Sequence, residues 1–150
     1  VASSFYGVGP AASIPLGFND AMWAKYGLGE LMGLKDAAGK AYTRNVFAGM
    51  TKDDAHLLAQ RAGIPASIAL LGQAAPALSI PSLQKMGTKF LVCNNALGLW
   101  TLELEARGKG KADAIGADLR ANLLPGVTIV PAVVRAIEQA HGAGFTYNRQ

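Results

Sequence analysis

The residue best equipped for chemistry in this chain is Cys93, in the segment Lys89-Phe90-Leu91-Val92-Cys93-Asn94-Asn95. It is the single cysteine among 150 residues, so no disulfide framework can be built on it. The apolar run 89–93 reads as a strand buried on both faces, and a helix is expected to start directly after it, over 95–107. A thiol at that junction meets the unpaired N–H groups and the positive end of the helix dipole, both of which favour thiolate. Asn94 and Asn95 add amides that either cap the helix or hydrogen-bond a group carried on the sulfur. The competing reading is a small buried hydrophobe without reactivity, and sequence position alone leaves the two open.

Other chemistry is weaker. Gly7-Val8-Gly9-Pro10-Ala11-Ala12 follows a short strand and fits the spacing of a dinucleotide fingerprint ending in alanine. Pro10 removes a backbone donor, however, and no acidic residue follows about 20 positions on at the end of a second strand. Gly7 and Gly9 are better read as a turn near the same sheet edge as Cys93, within reach of a substrate there. His56 falls in an expected helix over 51–62 and His141 near the end of another. A Cys93–His pair for nucleophilic catalysis is conceivable, although a cation near a helix C-terminus already accounts for His141. One cysteine and two scattered histidines make no metal site, and no cofactor is called for. Asp53 and Asp54 read as first-turn helix charges, and Glu103 and Glu105 point to different sides of one helix, so no acid–base pair stands out.

Positioning these residues requires the following elements. Residues 1–6 read as a strand. Asn19 or Asp20 caps a helix through Leu31 that Gly27, Gly29 and Gly33 weaken, and 35–45 reads as a surface excursion. Thr51 and Asp54 have capping-box spacing, and Gly63 and Pro65 end the helix that follows. Residues 66–77 are apolar and alanine-rich, open to helix or strand, and Pro81 suits the first turn of a short helix ending at Gly87. Leu97, Trp100 and Leu104 are expected on one side of the 95–107 helix. A second helix follows over 112–123, then a strand over 127–130, a helix opened by Pro131, and a last short strand over 145–147. Strand, helix, strand, helix, strand is the order of a mostly parallel sheet with helices on both faces, here a single α/β domain of about four to five strands.

Composition agrees. Charged residues are 16% of the chain, against about 25% in an ordinary domain. The apolar share is 51% although aromatics are only 7%; the excess is alanine, 27 residues, which lets helices lie close on a sheet. That profile excludes intrinsic disorder, and no apolar run approaches the roughly 20 residues of a bilayer span. The net charge of +4 is scattered, with its densest cluster at Arg107, Lys109 and Lys111. That cluster reads as a solvated loop or a weak patch for an acidic partner, not as the dense basic stripe of a nucleic-acid protein.

The segment Lys89-Phe90-Leu91-Val92-Cys93-Asn94-Asn95-Ala96-Leu97 resembles the cysteine loop of DsrE/DsrF-like sulfur-relay proteins. Asn122-Leu123-Leu124-Pro125-Gly126-Val127 with Val130-Pro131-Ala132-Val133 is similar to that family's next strand, and Ala143-Gly144-Phe145-Thr146-Tyr147 to its last. The similarity covers residues 88–148. In the first half, Phe18-Asn19-Asp20-Ala21-Met22-Trp23 and Thr43-Arg44-Asn45 resemble an exported subgroup. The resemblance implies a five-stranded sheet, a strand and helix ahead of Val1 that this chain does not contain, and frequent homo-oligomers. It further implies that Cys93 accepts sulfane sulfur as a persulfide and passes it on without a cofactor, in a periplasmic or otherwise exported protein. The alternative is a non-catalytic accessory subunit of an exported oxidoreductase or another cell-envelope complex, whose low charge suits a surface covered by a protein partner.

Overall fold

The computed structural model describes residues 13–57 and 69–145. The expected strand over 1–6, the Gly7 and Gly9 turn, the end of the 51–62 helix and positions 146–147 of the last strand lie outside the described residues. The chain divides into two compact units. One is Phe18–Thr88; the other takes the described residues through Gly17 together with those from Lys89 onward.

The second of these units holds the sheet. Strand β1 (Phe90–Cys93) pairs in parallel with β2 (Val127–Val130), in the register Phe90 to Val127 through Cys93 to Val130. Between them run α5 (Asn94–Ala106) and α6 (Ala112–Ala121), numbering helices from the chain start, and α7 (Val133–Gly142) follows β2. The chain is therefore mixed α/β with a parallel strand pair, and that pair is the described sheet. Residue 145 lies in no strand. Leu97, Leu104, Ile115 and Leu119 are fully buried where α5 packs on α6. Gly116 lets the two helices approach, since a Cβ there would stand 3.3 Å from the Thr101 methyl. Two expectations change here. Trp100 is half-exposed and Thr101 takes its place inside: both lie on the Leu97–Leu104 face at helical spacing, and Thr101 is the one on the side where α6 and Gly116 pack. Strand β1 is buried only at Val92 and Cys93, whereas Phe90 and Leu91 are half-exposed.

A 3-10 turn over Ile14–Gly17 lies on β1. A Cβ on Gly17 would sit 2.7 Å from the Val92 methyl, and the Gly17 carbonyl accepts the Leu124 N–H at 2.7 Å.

In the unit Phe18–Thr88, α1 (Asp20–Tyr26) is capped by Asn19, whose side chain accepts the Met22 N–H. The expected continuous helix breaks at Gly27, which takes φ +66° and closes α1; α2 (Leu28–Leu31) starts again beyond it. Residues 35–45 are less superficial than expected. A bridge joins Lys35 to Ala41, while Tyr42 and Asn45 are buried. Asn45 donates to the Phe18 carbonyl at 2.7 Å and accepts from the Phe47 N–H, and its own N–H reaches the Asp20 carboxylate. The ambiguous alanine-rich stretch is helical where described, as α3 (Ala69–Ala74) and a 3-10 turn over Ala75–Leu78. Pro81 stands in the first turn of α4 (Ile80–Lys85).

Candidate functional site

The sequence Val92-Cys93-Asn94 turns from strand to helix with no intervening loop, so Cys93 is both the last residue of β1 and the N-cap of α5. This alters the expected role of the asparagines. Asn94 and Asn95 are the first two residues inside the helix, because the helix begins one residue earlier than its apolar spacing suggests. Neither caps it. The Asn94 carboxamide oxygen instead accepts from the Arg120 guanidinium at 3.0 Å, and Asn95 is exposed.

Cys93 is free and 7% exposed. In the parallel register Cys93 stands opposite Val130, and α7 begins just past Pro131 and Ala132. The N-termini of α5 and α7 thus both lie at the carboxyl end of the strand pair, where ligands gather in parallel sheets. Burial pushes the Cys93 thiol up, but the influence of the backbone N–H groups of Ala96, Val133 and Asn95 outweighs it, holding the thiol below its usual value. Cys93 stands at the N-cap of α5 without a side-chain cap hydrogen bond. Such an arrangement stabilises negative charge on Sγ, whether on a thiolate or on a sulfur attached to it.

The remaining candidates are dispersed. Gly7 and Gly9 lie outside the described residues. His56 belongs to the turn after Lys52–Asp54, in the other compact unit, and His141 to the last turn of α7 as expected. Among the described residues, no three His, Cys, Asp or Glu side chains come together as a metal site requires. In the basic loop Arg107 pairs with Glu103 and Lys111 with Glu105.

One cluster escaped sequence reasoning. Asp54, 2% exposed, accepts from the Tyr42 hydroxyl at 2.7 Å, the Arg44 guanidinium at 2.8 Å, and the N–H and hydroxyl of Thr51 at 2.8 and 2.9 Å. Burial raises the Asp54 carboxyl, yet Arg44, the Thr51 N–H, Tyr42 and the Thr51 hydroxyl together bring it below the usual carboxylate range. Burial first, and then the bond to Asp54, hold the Tyr42 phenol well above its usual value. The capping box of Thr51 and Asp54 was legible and is present. What it lacked was a partner, for which the available signal was Tyr42 and Arg44 two residues apart in a non-helical segment. No buried side-chain nitrogen or oxygen here lacks a partner, as in a structural tie.

The fold and site define an α/β protein with one thiol at a strand end between two helix N-termini. No protein-family model matches the chain, and neither a curated protein nor a solved structure matches it.

Proposed function

We propose that this chain is a sulfur-relay protein of the DsrE/DsrF-like kind, carrying sulfane sulfur as a persulfide on Cys93. The observation that supports the reading is the place of Cys93, at the carboxyl end of the parallel strand pair where α5 and α7 both begin. In the step proposed, the Cys93 thiolate attacks the outer sulfur of a persulfide donor. The donor's S–S bond breaks, a new S–S bond forms on Cys93, and the donor leaves as a thiol. Discharge to an acceptor thiolate is the same exchange in reverse, with no net oxidation. In this reading Asn94 and Asn95, which follow Cys93 directly in the chain, are the side chains that receive the terminal sulfur. The reading includes the larger, mostly parallel sheet of about four to five strands and an exported or periplasmic setting.

Incubating the full chain with glutathione persulfide and weighing it intact tests this. One added sulfur atom is expected, absent in Cys93→Ser. The rate of loading is expected to reach half its maximum below the ordinary cysteine value of about 8.5. A native chain that stays unmodified while the same chain in denaturant takes up sulfur overturns the proposal.

A second reading, a non-catalytic subunit docked on a larger protein, is favoured by a different observation. Leu99 and Leu102 are 62% and 58% exposed on successive turns of α5, with Val134 and Phe145 also exposed in the same unit.

A further inference from the structure

Five side chains in this protein contain sulfur: Cys93 and the methionines Met22, Met32, Met50 and Met86. Four of them are shielded. Met22 and Met50 are each 4% exposed, Cys93 is 7% exposed, and Met32 is half-buried. Met86 is 78% exposed, more than any other large apolar side chain among the described residues. It stands at the C-cap of α4, and backbone bonds close the chain around it. The Met86 N–H donates to the Ser82 and Leu83 carbonyls, the Gly87 N–H to Gln84 at 2.9 Å, and the Thr88 N–H to Leu83 at 3.0 Å, while Gly87 takes φ +94°. None of these bonds uses the Met86 thioether, and a side chain so exposed forgoes most of the roughly 1.5–3 kcal/mol that a buried methionine contributes. The fold therefore asks nothing of this sulfur.

We propose that Met86 is an oxidation site, which takes up a two-electron oxidant of the hypohalous-acid class as methionine sulfoxide while the fold stays intact. In the step proposed, a lone pair of the Met86 sulfur attacks the chlorine of hypochlorous acid, and the Cl–O bond breaks to release hydroxide. Water then adds to the sulfur, the S–Cl bond breaks and chloride leaves, giving the sulfoxide. Of the two protons lost from that water, one neutralises the hydroxide and the other goes to solvent. Sulfur is oxidised by two electrons and chlorine is reduced by two. The product at position 86 is a polar group in water. The same change at Met22 or Met50 places a sulfoxide oxygen in the core without a hydrogen-bond donor. Met86 accordingly consumes the oxidant ahead of the sulfurs whose modification damages the molecule, and a methionine sulfoxide is returned to methionine by reductases specific for its two epimers. The inference stands apart from sulfur transfer at Cys93 and does not require it.

Treating the full chain with up to about one equivalent of hypochlorous acid, then mapping its peptides by mass, tests the site. The first oxygen atom is expected on Met86, about tenfold or more ahead of Met22 and Met50, with the thermal midpoint unchanged. Met86→Leu keeps the size and helix propensity of the side chain. In that variant the first product is expected to be absent, so the same dose oxidises a shielded sulfur and lowers the midpoint. A first oxygen on Met32 or Cys93 overturns the proposal. So does a midpoint that falls as the Met86 sulfoxide forms, or equal damage to wild type and variant at every dose.

Discussion

Asp54 illustrates how much one side chain can organise. Its two oxygens collect four donors from three residues, and removing the charge strands the Tyr42 hydroxyl and the Thr51 N–H in a place water reaches poorly. Because its carboxyl is held below the value it has in the unfolded chain, the stabilisation is fully present above about pH 4 and is lost as pH falls through the folded value. Asp54→Asn is expected to cost about 3 kcal/mol at neutral pH, measured by urea unfolding, and to flatten the acid side of the stability profile. A variant as acid-sensitive as the wild type would remove Asp54 from this role. At Cys93 the balance is of the same kind, with burial opposed by backbone N–H groups at the starts of two helices.

At the scale of elements, close approach decides what can be substituted. A Cβ on Gly29 of α2 would stand 2.0 Å from the Tyr42 carbonyl oxygen, a backbone atom that cannot swing aside. Gly29→Ala is therefore expected to destabilise by roughly 3 kcal/mol or more, seen as a lower thermal midpoint, while Gly49→Ala, whose Cβ meets nothing within 4 Å, leaves it nearly unchanged. Strand–helix order was legible from periodicity: β1, β2, α4 and α6 lie where apolar runs, Pro81 and glycine breaks put them. Gly27 was legible only as a weak point of one helix and proves to end it with a local cap on the Trp23 carbonyl, while the start of α5 at Asn94 had no signal, since Cys93 caps it without a side-chain bond. The Asp54 cluster was half legible: the capping box is local, but Tyr42 and Arg44 reach it only through the fold.

For the molecule as a whole, sparse charge and exposed leucines point the same way. Among the described residues no helix is long and apolar enough to cross a membrane. If the α5 surface is docked on protein, the isolated chain is expected to associate, giving a light-scattering mass above 15.6 kDa that Leu99→Gln with Leu102→Gln returns to the monomer value. A wild-type monomer that co-purifies with nothing would count against the docking reading and leave sulfur loading of Cys93 to stand or fall alone.

The sequence by itself determined a lightly charged α/β chain with one thiol at the end of a strand, since composition, hydrophobic period and strand–helix junctions are local properties. Tertiary structure alone decided the state of that thiol. Its burial and its Val133 donor come from β2 and α7 arriving beside β1, a contact between segments 40 positions apart that no local pattern encodes.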